Sequence, residues 1–105
     1  MKETQSFSMT EFQVMQWSEA KGILKYGTPI GQAKKALAEA QELIDAIEAG
    51  DMAEAELELG DVMVCLVNTA VLLDLDARTC FYKAYKKIEP RKGYMNEHGQ
   101  FVKEA

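Results

Sequence analysis

Apolar positions along this chain recur mostly at spacings of three and four, the period of helices packed along one side. Phe12, Met15 and Ile23 fall near one another together with Glu19, and Gln13, Gln16, Trp17 and Ala20 form a second group. The pattern predicts a first helix from about Met9 to Lys25, opened by Ser8-Met-Thr-Glu11, which fits a capping box. Tyr26-Gly-Thr-Pro-Ile-Gly31 interrupts the period, and Thr28 can cap a second helix with Pro29 at its first position. That helix runs from about Pro29 to Ala49, with Ala36, Leu37, Ala40, Leu43, Ile44 and Ile47 as its core stripe. Gly50-Asp51 reads as a helix stop followed by a helix start, and a third helix covers about Met52 to Leu73. Beyond Asp61 it reads VMVCLVNTAVLL, apolar on every side except at Asn68 and Thr69, the mark of a buried segment. Asp74-Leu-Asp76 is a short loop, and Asp76 caps a fourth helix from about Ala77 to Ile88. There Phe81, Tyr82, Ala84, Tyr85 and Ile88 are expected to pack inward, while Lys83, Lys86 and Lys87 point outward or towards acidic groups. Pro90 ends regular helix. The tail RKGYMNEHGQFVKEA, with its Asn-Glu-His-Gly turn, suggests a small hairpin that leans on another subunit or stays mobile. The expected fold is a single all-α domain over residues 1–105, a four-helix bundle with a short C-terminal tail or hairpin.

Two acidic pairs in mirror arrangement stand out against this frame. Glu39 and Glu42 precede the Gly50 turn; Glu58 and Asp61 follow it. Each pair has the i, i+3 spacing that puts both side chains on one face of a helix. Folding the chain back at Gly50 sets Glu39 opposite Asp61 and Glu42 opposite Glu58, roughly 12 to 16 Å from the bend at 1.5 Å rise per residue. Four carboxylates that converge must take up protons or bind cations. Oxygen ligands without nearby His or Cys suit Mg²⁺ or Mn²⁺ rather than zinc. An acid-rich chain also yields such pairs as part of a solvated face. Here, however, the pairs lie at the margin of the core stripe and at the entrance to the buried segment, which favours a metal site.

Composition narrows the possibilities. The chain has 105 residues and a net charge of −5, unevenly spread. Residues 78–105 carry seven basic and three acidic side chains, and the remainder is strongly acidic. An acidic body disfavours binding to a nucleic-acid backbone, whereas a basic strip beside an acidic cluster suits a small polyphosphate. The apolar run from Val62 to Leu73 is too short to cross a membrane. MKETQSFSMT has no signal-peptide core, and Cys65 and Cys80 form no redox or ligand spacing, so a cytoplasmic protein with reduced thiols is expected. Gly-rich phosphate loops and Ser-His-Asp sets do not occur, and His98, the only histidine, reads as a surface turn residue. Any bound phosphate must therefore be held by cations and by Lys or Arg.

The chain resembles the MazG-like all-α nucleoside triphosphate pyrophosphohydrolases, whose signature is E-x-x-E, a spacer, then E-x-x-D. The residues that carry the likeness are Glu39-x-x-Glu42 and Glu58-x-x-Asp61, with Trp17, TPIGQAKKALAEAQEL, ELGDVMVCLVNTA and the late RKG tail around them. The resemblance spans roughly Phe12 to Val102. It implies a four-helix fold, homodimers or homotetramers, Mg²⁺ held by Glu39, Glu42, Glu58 and Asp61, and cleavage of an NTP or dNTP to the monophosphate and pyrophosphate. Many members have a second Glu where this chain has Ala38, and an Asn near the end of the last helix where it reads Lys86-Lys87-Ile88. Both departures bear on phosphate contacts and substrate preference.

On this reading Glu39 or Glu42 orients or deprotonates the attacking water. Lys83, Lys86, Lys87 and Arg91 are candidates for the pyrophosphate end; Trp17, Gln13, Gln16 and Asn68 for the sugar and base. Trp17 reads first as a core residue, with a stacking wall for a nucleobase as its alternative role. Separately, the all-round apolar third helix needs more cover than three short neighbours supply, which predicts self-association. The rival functions are a non-catalytic acidic helical interaction module, and the same fold acting on another nucleotide such as an alarmone.

Overall fold

The computed structural model describes residues 4–105. Five α-helices, α1 (Phe7–Ala20), α2 (Ile23–Tyr26), α3 (Pro29–Glu48), α4 (Met52–Leu72) and α5 (Ala77–Ile88), precede a two-stranded hairpin, β1 (Gly93–Met95) and β2 (Phe101–Lys103). The fold is mainly helical, as expected, but the first predicted helix is two. Gly22 adopts φ 82°, a left-handed conformation that closes α1 and redirects the chain into the single turn of α2. The N-terminal cap also differs. Ser6, not Ser8, receives the Met9 N–H at 3.2 Å, so α1 starts two residues earlier than the capping-box reading placed it. Of the stretch read for a signal peptide, residues 1–3 lie outside the described residues.

The α3–α4 hairpin is the body of the domain. Thr28 accepts from Gly31 N–H at 3.0 Å and Pro29 opens α3. At the other end Gly50 takes φ 71°, and the N–H of Asp51 reaches back to the Ala46 carbonyl at 2.9 Å. Asp51 then caps α4 through the Glu54 N–H at 3.1 Å. Both signals are local, so stop and start are readable from two adjacent residues. The helices meet through small side chains: Ala36 and Ala46 from α3, with Cys65, Val67 and Ala70 from α4, are the buried apolar residues. This corrects the predicted stripe, because Leu37, Ile44 and Ile47 lie largely in solvent.

α1, α2 and α5 lie against α4. Asp76 caps α5 by accepting the Arg78 N–H at 2.9 Å, which holds its carboxyl below the ordinary range. Arg78 Nε also sits 3.2 Å from Glu11 of α1, a buried acid that secures the start of α5. Beyond that anchor α5 is uncovered. Phe81, Tyr82, Tyr85 and Ile88, expected to pack inward, are all exposed. The hairpin pairs Gly93 with Lys103, Tyr94 with Val102 and Met95 with Phe101 and packs on no helix. No described helix is long and apolar enough to cross a membrane.

Candidate functional site

The hairpin register brings Glu39 of α3 to Glu58 and Asp61 of α4. One carboxylate oxygen from each lies within 4.8 Å of the others. Glu39 is half-buried, Glu58 is buried and Asp61 is exposed, so the group opens from the helix interface towards solvent. Glu42 is exposed and stands outside this tight set, though beside Glu58. Glu54, one turn before Glu58, joins the cluster and was not anticipated. Its spacing to Glu58 is i, i+4, which shares a helix face as the i, i+3 pairs do.

Electrostatics concentrate on Glu58. The carboxyl groups of Glu54 and then Glu42, followed by burial and by Glu39, push it up from 4.5 to about 8. Its Oε2 is buried and has no hydrogen-bond partner among the described residues. A buried acceptor without a donor is costly, and three hard oxygens beside one another supply what a hard cation lacks. Ligand oxygens about 2.1 Å from a common octahedral ion stand roughly 3 to 4 Å apart, so small side-chain rotations would suffice. The residues present therefore fit a divalent cation.

A cavity of about 300 Å³ adjoins the cluster, bounded by Trp17, Gln32, Lys35, Glu39, Asp61 and Asn68. A second, of about 370 Å³, shares Trp17 and Asp61 with it and adds Thr10, Gln13 and Val14. Trp17, Gln13 and Asn68 thus line the cavities that adjoin the carboxylates. Asn68 is itself buried, held by the Ser18 hydroxyl and by Gln32 Oε1 at 3.3 Å. Gln16 is exposed and lines neither cavity. Lys83, Lys86, Lys87 and Arg91 line neither, and Lys86 pairs with Glu89 at 2.9 Å. Lys35 is the cation that borders the site, with its Nζ 3.5 Å from Glu39. Its position one turn before Glu39 was the available signal.

A family model described as the MazG nucleotide pyrophosphohydrolase domain matches residues 29–95, a span that contains α3, α4, α5 and all five clustered acids. No curated protein and no solved structure matches the chain.

Proposed function

This chain belongs to the MazG nucleotide pyrophosphohydrolase family, and from that premise we propose that it hydrolyses a nucleoside or deoxynucleoside triphosphate to the monophosphate and pyrophosphate in the cytoplasm, with Mg²⁺ (or Mn²⁺) as cofactor. The observation that carries this reading is the buried, unpartnered Glu58 carboxylate set among Glu39 and Asp61. These three side chains hold the cation. When bound, it supplies positive charge against the phosphate oxygens and lowers the pKa of the attacking water.

The rest of the chemistry falls to the protein's own groups. Glu42, adjacent to Glu58 but outside the tight set, is free to orient the water and accept its proton as the water oxygen bonds to phosphorus. Glu39, the other candidate for this role, is better placed as a ligand. The bond between the phosphorus and the oxygen bridging the α and β phosphates then breaks, releasing pyrophosphate. Lys35 draws phosphate oxygens into an otherwise acidic pocket, and Trp17, Gln13 and Asn68 receive the nucleoside. Lys83, Lys86, Lys87 and Arg91, on an arm remote from these cavities, could reach a triphosphate from a second copy of the chain; Gln16 has a comparable place on the exposed side of α1.

A homodimer or homotetramer is part of the proposal, on physical grounds. The chain exposes 8407 Å², whereas a compact monomer of its 11.8 kDa mass exposes about 5,900 Å². Its radius of gyration is 15.9 Å, against about 13 Å for a compact chain of this length. The excess is of the size that obligate interfaces bury. Incubation of the full chain with each NTP and dNTP in Mg²⁺, reading pyrophosphate, is the deciding experiment. Release from at least one is expected; release from none overturns the assignment in favour of a non-catalytic module.

A further inference from the structure

The α3–α4 register that sets Glu39 opposite Asp61 sets Gln32 opposite Asn68, and these two are hydrogen-bonded. Each lies seven residues along its helix from the acid, about 10 Å at 1.5 Å per residue. With phosphates at the carboxylates, a sugar and the width of a base span that interval. Trp17 forms one wall of the cavity between, half-exposed and able to stack on a base.

The polar end of the cavity has a direction. Ser18, fully buried, donates its hydroxyl to Asn68 Oδ1; Asn68, 2% exposed, donates Nδ2–H to Gln32 Oε1. In this relay each amide oxygen accepts from the residue behind it, which turns the Gln32 carbonyl oxygen towards Asn68. Gln32 Nε2 makes no hydrogen bond among the described residues, so the relay ends in an amide that offers two N–H donors.

Resting on the pyrophosphohydrolase reading above, we propose that the Ser18–Asn68–Gln32 relay makes this site select bases that carry an oxo group on the edge farthest from the sugar: uracil, thymine and guanine over cytosine and adenine. That edge bears a carbonyl acceptor in the first group and an amino donor in the second. With its oxygen held towards Asn68, the Gln32 amide presents its free N–H groups, which pair with the carbonyl and meet the amino group N–H to N–H. Gln32 is a specificity-determining residue, and Ser18 and Asn68 are positioning residues that fix which way its amide faces.

Trp17 is the only tryptophan, so its fluorescence reports occupancy of this cavity without turnover. Titration of the full chain with dUMP and dTMP should quench it at concentrations about tenfold or more below those needed for dCMP, the discrimination expected from one hydrogen bond gained against one donor left facing a donor. Pyrophosphate release from dUTP, dTTP and dGTP over dCTP and dATP should follow the same order. Gln32→Glu replaces the donors with acceptors at constant shape on a half-buried side chain. It should invert the order for both readouts while leaving the helical circular dichroism unchanged. Equal quenching by oxo and amino nucleotides, or an order unchanged in Gln32→Glu, overturns the selectivity and leaves the hydrolase reading standing. If no nucleotide is hydrolysed, that reading fails, and the quenching order still decides the base pocket.

Discussion

The α3–α4 hairpin and the α5–hairpin arm use similar apolar residues and come to opposite ends. In the first, small side chains at Ala36, Ala46, Cys65 and Ala70 bring two helices close enough to bury even a glutamate. In the second, Phe81, Tyr85 and Ile88 repeat at helical spacing on one face of α5, yet all three remain exposed, with nothing among the described residues covering them. An amphipathic period says that a face will be buried, not by whom. The hairpin also accepts a locally unfavourable arrangement, five crowded acids, whereas the arm is locally well formed and globally unsatisfied. On the proposed reading, function is placed where stability is sacrificed, and assembly where stability is still to be gained.

This contrast is open to direct attack. The largest expected effect is at Glu58. Glu58→Gln should cut pyrophosphate release by about 100-fold or more, as for a lost determinant of metal binding. Without added metal the same variant should melt at a higher temperature than wild type near pH 8, since the crowded charge is gone. A variant that is both active and no more stable would remove the hairpin side of the comparison.

Next comes the arm. Phe81→Glu combined with Ile88→Glu should convert the assembly to monomers by size-exclusion light scattering, with helical content retained. A wild-type protein that is already monomeric at micromolar concentration would show that the exposed face has no partner of its own kind.

The acid cluster should also make the metal-free protein pH-sensitive in a defined sense. Glu58 holds its proton more tightly folded, at about 8, than unfolded, near 4.5. The folded state therefore binds more protons throughout that window, and stability must fall as pH rises from about 4.5 to about 8. Mg²⁺ should raise the melting temperature more at pH 8 than at pH 6, because only the ionised cluster binds it well. A melting temperature that climbs across this range without metal would contradict the assigned crowding.

The smallest effect is expected at the turn. Gly50 holds φ 71° with open space around its missing side chain, so Gly50→Ala meets backbone strain alone and should cost about 1 kcal/mol in chemical denaturation. Catalysis should persist, since Glu39, Glu58 and Asp61 lie about two to three helical turns from the bend.

Much of the hairpin was legible before any coordinates. Thr28-Pro29, Gly50-Asp51 and Asp76 act through their own neighbours' backbone groups, so residue identity sufficed to mark the helix ends. The facing of Glu39 on Asp61 followed from a tight turn and a constant rise. The misreadings share a cause. By spacing alone Glu11 fits half of a capping box, while the fold buries it against Arg78; Gly22 lies within the helix expected from Met9 to Lys25, and its left-handed backbone ends α1. Leu37, Ile44 and Ile47 resembled core because the period cannot tell which edge of an apolar stripe meets a partner.

What the residues alone determined was the helices α3 to α5, the turn between α3 and α4, and the acids it opposes, because caps and helical rise operate over a few neighbouring positions. Only the tertiary structure decided that Glu39, Glu58 and Asp61 form the tight group with Glu42 outside it, that Glu54 and Lys35 join the site, and that the lysines of α5 lie elsewhere. Those outcomes depend on the separation and rotation of packed helices, which arise from many weak contacts between residues far apart in the chain.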